Sequence, residues 1–353
     1  MITSKFTGEV RWGILGAANI ARAQFLPGLR EAGGGRAVLV ASRDRGRAEV
    51  FARDNGVDQG VEGYDVVVGS PDIDAVYIAL PNSHHARWTQ RALETGKAVL
   101  CEKPLCVGSA QTAAVLETAA TTGALLWESF VFPFQDQHRR LVDLLAGGAI
   151  GEVCELVSPF SFDLSRSEDI RLSRELGGGA IADVGCYPIR LAQEVLSTRD
   201  LSTGDVVGFG TGNGAVETEA VAIIDYGRQR LVLSCGFGRA VDTFTRVLGT
   251  EGQIHLSNPF HPGPGDTLIL RHGGQETVER PTVDARSFTA ALRHIHAVLR
   301  EDEAPAHLAE ESSLRTALAI EAVVQACSGA SPLAGRRGRP ARDQWDRPSE
   351  APA

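Results

Sequence analysis

The stretch Leu100-Cys101-Glu102-Lys103-Pro104-Leu105 sets a lysine between a carboxylate and a proline. It follows a short apolar run, Lys97-Ala98-Val99-Leu100, that reads as a strand. Lysine is seldom buried without a partner, and proline is poorly tolerated in a central strand. The stretch is therefore either a surface turn or a place where an ammonium group is wanted. Gly177-Gly178-Gly179 opens a second informative segment, a helical pattern to about Leu196 that carries Asp183 and Tyr187. Residues four apart lie roughly 40° apart around an α-helix, so this carboxylate and phenol would share one face. The bland alternative is a core tyrosine and a first-turn carboxylate favoured by the helix dipole. Gly185 between them costs about 1 kcal/mol of helix propensity and permits close approach of another backbone. With Lys103 the pair becomes proton-transfer chemistry. A phenol of unperturbed pKa ~10 needs a positive neighbour to favour phenolate.

The elements that must position these groups alternate strand and helix. Val10 to Leu15 is apolar, and Gly16-Ala17-Ala18-Asn19-Ile20-Ala21 opens a helical pattern to about Ala32. A dinucleotide fingerprint occupies such a strand–turn–helix. Only its first glycine is kept, with Ala18 and Ala21 in the second and third places. Small residues there let backbone N–H groups and a helix N-terminus approach a pyrophosphate. The second strand, Ala37 to Ala41, ends in Ser42-Arg43-Asp44, with Arg47 one turn on. A hydroxyl and guanidinium groups suit a 2′-phosphate, which puts NADP ahead of NAD. A solvated basic turn, with Asp44 as ribose ligand, is the alternative. Asp74 to Leu80 is nearly continuous in apolar residues, as expected of a parallel strand covered on both faces. Ligands bind beyond the carboxyl ends of such strands, so Leu80, Asn82, His85, Glu102 and Lys103 point toward a cofactor crevice. Ser109 to Thr122 is a further helix, and the alternation predicts a doubly wound parallel sheet.

The second half reads differently. A helix over Phe134 to Ala146 is followed by strand patterns from Val153 to Phe162 and from Val206, Val221, Leu231, Thr245, Gln253 and Leu268. Consecutive strands predict an α/β domain with a large open, mainly antiparallel sheet. Helices close the chain over Ser287 to Arg300 and Ala309 to Cys327. The expected division is a dinucleotide-binding domain over 1–128, a second α/β domain over 129–330 (by the family resemblance given below, for substrate and oligomerisation), and a disordered Gly/Pro/Arg-rich tail over 331–353.

Composition narrows the function. Forty-four acidic against 35 basic residues, a net charge of -9, argue against general affinity for nucleic acid. No apolar run approaches the ~18 residues of a membrane span, and the first residues lack an apolar signal core, so a cytoplasmic protein is expected. Six scattered cysteines without C-x-x-C spacing predict neither a zinc site nor a disulfide framework.

In combination, Trp12 to Ala21, Ala79-Leu80-Pro81-Asn82-Ser83-His84-His85, Cys101 to Leu105, Glu168-Asp169-Ile170-Arg171-Leu172 and Gly177 to Pro188 resemble the Gfo/Idh/MocA family of NAD(P)-dependent oxidoreductases. The resemblance runs from Arg11 to about Cys327. It implies a Rossmann domain followed by an α/β domain whose open sheet forms a homodimer or homotetramer interface. It also implies that Lys103 is the catalytic-site lysine of an E-K-P motif, with a cis Lys103–Pro104 bond. Tyr187 stands where inositol-type members carry histidine, as in the glucose–fructose oxidoreductase, dihydrodiol dehydrogenase and aldose dehydrogenase branch. Phe130 to Gln135 looks like xylose-dehydrogenase-like members. The implied reaction is hydride transfer between NADP(H) and a sugar, foremost an aldose such as xylose or glucose oxidised at C1. Tyr187 is the general acid/base, Asp183 orients a substrate hydroxyl, and Arg171 lines the same cleft. A ketoreductase acting on a nucleotide-linked deoxysugar is the alternative. A cofactor-binding sugar sensor without turnover is a third reading.

Overall fold

The computed structural model describes residues 8–166, 168–196 and 205–328; the expected tail over 331–353 lies outside them. The first half is built from β1 (Val10–Leu15), a π-helical turn (Ala21–Phe25) running into α1 (Leu26–Ala32), β2 (Gly35–Ser42), α2 (Arg45–Asn55), β3 (Gln59–Glu62) and α3 (Tyr64–Val68). It continues through β4 (Ala75–Ile78), α4 (His85–Glu94), β5 (Ala98–Cys101), α5 (Ser109–Thr122) and β6 (Leu126–Glu128). The six strands pair in the order β3-β2-β1-β4-β5-β6, every pairing parallel. All four residues of β4 are buried, as are all four of β5. This explains their continuous apolar runs, since helices cover both faces.

The second sheet gathers β7 (Val153–Phe162), β8 (Asp205–Gly212), β9 (Glu217–Asp225), β10 (Arg230–Phe237), β11 (Asp242–Thr243), β12 (Thr245–Gly249), β13 (Gly252–Leu256), β14 (Leu268–His272) and β15 (Gln275–Glu279). The order is β15-β14-β13-β12-β7-β10-β9-β8, with β11 beside β7. Only β7–β10 is parallel among these described strands. The helices of this half are α6 (Asp136–Ala146), a π-helical turn (Ile181–Gly185) leading into α7 (Cys186–Val195), α8 (Thr289–Leu299) and α9 (Glu311–Ser328). One face of the sheet packs on α7 and α9, where Leu156, Ala220, Leu231 and Leu233 join Ile189, Leu191 and Val323 in one core.

Helix α8, inside the expected 129–330 span, packs into the core of the first half. Phe288, Leu292 and Ile295 cluster with Trp12, Phe25 and Tyr77. The contact is close, because a Cβ on Gly28 of α1 would lie 2.9 Å from Phe288 Cβ. Trp12 donates its indole N–H to His296 at 2.9 Å, and His296 Nδ1 meets the Gly33 carbonyl at 2.7 Å. The short α1 leaves an apolar face beside β1, and the returning chain covers it.

Candidate active site

The site is assembled at the carboxyl ends of β4 and β5. Glu102 N–H donates to the Ile78 carbonyl at 3.0 Å and Ser129 N–H to the Cys101 carbonyl at 2.7 Å, tying the turn to both neighbouring strands. The Lys103–Pro104 bond is cis. Immediately after it, Leu105 N–H donates to Glu128 Oε1 at 2.8 Å, and Ser313 of α9 donates to Glu128 Oε2 at 2.6 Å. Burial raises the pKa of Glu128, with these bonds and Arg190 opposing.

His85 does not face the cofactor crevice as expected. It is fully buried, with Nδ1 at 2.9 Å from the Pro104 carbonyl and Nε2 at 2.8 Å from the Leu80 carbonyl. Its imidazole pins the end of β4 to the turn after Lys103. Burial lowers its pKa. The structure thus gives His85 a scaffolding place.

Lys103 Nζ lies 2.6 Å from the Asp183 backbone carbonyl and 3.0 Å from Asp183 Oδ1. Arg171 Nε donates to the other carboxylate oxygen, Oδ2, at 2.7 Å, and Arg171 Nη1 to Asp169 Oδ1 at 3.2 Å. The ammonium and Asp183 carboxylate are 12% and 15% exposed, so water screens them little. Burial alone would pull the Lys103 pKa down, but Asp183, then Tyr187, more than offset it and the net shift is upward. Burial would raise Asp183, but Lys103 and Arg171 outweigh it and hold it below the usual carboxylate range. Both groups are charged at neutral pH.

The π-helical turn changes the geometry expected for Asp183 and Tyr187, because they are not joined by regular α-helix. A π-turn shifts bonding from i→i+4 to i→i+5, and the Asp183 carbonyl within it receives the Lys103 ammonium and, at 3.4 Å, Cys186 Sγ–H. The three preceding glycines make this possible. A Cβ on Gly178 would meet the Arg171 carbonyl at 2.3 Å, and Gly179, at φ 122°, would drive one into Glu217. Glu217 Oε1 accepts the Ile181 N–H at 3.1 Å at the start of the turn.

Tyr187 is 7% exposed and boxed by Phe130, Phe160 and Phe260 at centroid distances of 5.5, 5.2 and 5.0 Å. Lys103 Nζ stands 4.9 Å from its ring centroid. Two opposed effects act on its hydroxyl. Burial raises the Tyr187 pKa and Lys103 lowers it only in part, leaving it above the ordinary value. Cys186, Glu102 and Asp183 add smaller upward pushes to that of burial. Tyr187 is a protonated phenol.

The residues expected to hold a dinucleotide lie along one edge of the same cleft. Gly16, at φ 106°, follows β1, and a Cβ there would sit 2.5 Å from the Ala79 carbonyl. Ala18, Asn19 and Ile20 follow at the start of the helix; Asn19 Oδ1 accepts from Arg22 at 2.6 Å. Ser42 is buried at the end of β2, and Arg43 is exposed beyond it. Arg47 Nη2 reaches back to the Ala17 carbonyl at 3.1 Å, which sets its guanidinium beside the glycine turn. Asp44 is spent as the N-cap of α2, accepting Arg47 N–H at 2.7 Å, which weakens it as a ribose ligand. Leu80 is buried, and Asn82 donates to the Gly177 carbonyl at 2.8 Å, joining the two halves of the cleft. Glu102 Oε1 accepts the Tyr77 hydroxyl at 2.6 Å. The left-handed Gly16, the small residues after it and the guanidinium beside it fit a dinucleotide phosphate.

Three residues here escaped the sequence reading. Glu128 and Glu217 hold the backbone on either side of the cleft. His261 lies with its ring edge-on to Tyr187 at 5.6 Å. Only His261 had a usable signal, an Asn-Pro and Pro-Gly-rich segment between two strand patterns.

Residues 10–130 match a family described as the oxidoreductase family with an NAD-binding Rossmann fold, and residues 138–255 match the GFO/IDH/MocA C-terminal domain. A dTDP-3,4-didehydro-2,6-dideoxy-alpha-D-glucose 3-reductase of Streptomyces violaceoruber is 33% identical over 326 residues, 90% of this chain and 95% of the relative. A D-xylose 1-dehydrogenase (NADP(+)) of Haloferax volcanii is 30% identical, over 89% of this chain and 96% of its own. The crystal structure of KijD10, a 3-ketoreductase from Actinomadura kijaniata in complex with NADP and TDP-benzene, superposes with a TM-score of 0.82 at 30% identity. That superposition covers 90% of this chain and 98% of that one.

Proposed function

Because the chain belongs to the Gfo/Idh/MocA oxidoreductase family, we propose that it reduces a keto group of a nucleotide-linked deoxysugar with NADPH. The observation that carries this reading is the protonated, unbonded Tyr187 hydroxyl beside a permanently charged Lys103. A neutral phenol is an acid, and a ketone that accepts hydride at carbon needs a proton at oxygen. Bound NADPH supplies the hydride. Tyr187 donates the proton, while the Lys103 ammonium favours the negative charge that develops on the carbonyl oxygen. Asp183 fixes the ammonium rather than binding sugar, since both its carboxylate oxygens are engaged. Arg171, 38% exposed, offers its remaining N–H groups to the cleft. Gly16, Ala18, Asn19 and Ile20 bind the pyrophosphate, and Ser42, Arg43 and Arg47 select the 2′-phosphate of NADP over NAD. The similarity to dTDP-sugar 3-reductases supports the nucleotide-linked substrate.

The second reading is an aldose 1-dehydrogenase, favoured by the similarity to the Haloferax enzyme. The same groups would run in reverse on a free sugar. Absorbance at the nicotinamide band separates the two. Oxidation of NADPH by a dTDP-linked 3-keto-deoxysugar, with no NADP reduction by xylose or glucose, is the expected result. Turnover of free aldoses with silence on the keto sugar refutes it in favour of the dehydrogenase. Silence on all of them, with NADPH bound, leaves the sensor.

The proposal extends to assembly as a homodimer or homotetramer through the second sheet. Val207 and Phe209 on β8 pair with Ile223 and Val221 on β9, and all four are 43–55% exposed on the side away from the helices. A second copy of the same sheet would cover this apolar face. Light scattering on Phe209→Asp should report a smaller species than wild type.

A further inference from the structure

We propose that His261 is a specificity-determining residue whose imidazole hydrogen-bonds the sugar beside the carbon that reacts. The inference rests on the cleft being a sugar oxidoreductase site. Residues 257–266 join β13 to β14 in an excursion containing Pro259, Pro262 and Pro264. Such a loop would ordinarily be mobile, but this one is closed on itself. Ser257 Oγ donates to Asp266 Oδ1 at 2.6 Å, and Gly263 N–H donates to Asp266 Oδ2 at 2.7 Å. Asn258 brackets His261, donating to its carbonyl at 2.7 Å and accepting its N–H at 3.1 Å. Gln137 of α6 donates to the Asn258 carbonyl at 2.8 Å. The neighbouring Phe260 is fully buried and stacked on Phe160 at 5.5 Å and 12°, with Phe132 also 5.5 Å away. The backbone of His261 is thus fixed on both sides.

Its ring packs against that of Tyr187. The two rings meet at 5.6 Å and 73°, and the imidazole has no hydrogen bond among the described residues. The buried His85 and His296, by contrast, have both ring nitrogens engaged. Burial by the cleft walls, and secondarily the Lys103 charge, push the His261 pKa down to about 4. At neutral pH the ring is uncharged and offers one donor and one acceptor. A sugar carries adjacent oxygens of both kinds. An uncharged imidazole also leaves Lys103 as the cation nearest the phenol, so it recognises substrate without altering the charge balance. His261 therefore reads the oxygen pattern, and the proton comes from Tyr187.

The test compares His261→Ala and His261→Gln with wild type, using whichever dTDP-linked keto sugar or free aldose wild type turns over. His261→Ala should lower kcat/KM for the sugar about tenfold, the scale of one lost hydrogen bond. The loss should fall mainly on KM. The Kd for NADPH, by fluorescence titration, should stay within about twofold because the imidazole is remote from the glycine turn. His261→Gln, which keeps a donor and an acceptor, should recover much of the loss. A His261→Ala enzyme with wild-type kcat/KM overturns this proposal alone. A loss that Gln does not relieve and that tracks weakened NADPH binding or a lowered Tm also overturns it, by showing a structural role. Wild-type silence on every sugar overturns the functional reading and this inference with it.

Discussion

Tyr187→Phe removes one oxygen atom and leaves the box around the ring unchanged. Phe130, Phe160 and Phe260 touch the ring, and the hydroxyl makes no hydrogen bond among the described residues. Stability should therefore change by less than about 1 kcal/mol, since only a neutral hydrogen bond to water is exchanged. Activity should change far more. A positioned general acid contributes about 10²–10⁴-fold, and the substitutes nearby are poor. His261 is uncharged, and the Lys103 ammonium is already engaged by the Asp183 carbonyl and carboxylate. The expected loss in kcat is thus about 10³-fold, or about 4 kcal/mol in the barrier. Stopped-flow NADPH oxidation would measure it, with NADPH affinity by fluorescence as control. The wild-type pH profile gives an independent reading. Reduction needs the protonated phenol, whose pKa is raised, so activity is present below that value and lost only as pH rises through it. The rate should be level from roughly pH 6 to 9, whereas an ordinary phenol near ~10 would already begin to decline. A Tyr187→Phe enzyme keeping a tenth of wild-type kcat would refute the assignment. So would an alkaline limb in neutral solution, which would restore the phenolate picture.

Three further substitutions probe the frame around the phenol. Lys103→Met strands the Asp183 carboxylate on Arg171 alone and should cost roughly 3 kcal/mol at neutral pH, the low end for breaking a buried pair, as read by urea unfolding. Because the Asp183 pKa is lowered in the fold, that difference from wild type is present above the ordinary carboxylate value near ~4. It should close as pH falls through the depressed one. Arg47→Ala should weaken NADP binding about tenfold and NAD binding little, the scale of one charge-assisted contact to phosphate; equal losses for both would remove Arg47 from 2′-phosphate recognition. Gly16→Ala places a Cβ 2.5 Å from the Ala79 carbonyl at φ 106°, a strain of about 1–3 kcal/mol before the clash is counted. It should lower Tm and abolish NADPH fluorescence enhancement together.

Legibility in the sequence followed the strength of local signals. Helix α5 runs from Ser109 to Thr122 and strand β7 from Val153 to Phe162, both as read. Gly108 and Gly123, each at positive φ, frame the first. Strand β15, Gln-Glu-Thr-Val-Glu, was missed because a polar strand at a sheet edge carries no apolar alternation. The π-turn over Ile181–Gly185 was read as regular helix, since nothing in residue type separates the two. His85 misled because a histidine after a strand end is as suited to a buried clamp as to a ligand, and burial depends on where Pro104 and Leu80 come to lie. That Lys103 meets Asp183, 80 residues on, could be reached only through family resemblance.

The charge arrangement explains why the lysine and the tyrosine have different tasks. Lys103 and Arg171 share Asp183, and Arg171 also has Asp169, so two cations face two carboxylates in a chain of short contacts. A buried pair of this kind is weak support for stability, because well-packed apolar groups would serve as well or better. Its physical consequence lies elsewhere. The ammonium is locked in position by a backbone carbonyl as well as a carboxylate, and its field lowers the Tyr187 pKa less than burial raises it. Burial then decides the phenol's state, and the proton stays on oxygen. Lys103 is thus held as a fixed charge while Tyr187 keeps the transferable proton, the division of tasks that the proposed ketone reduction needs.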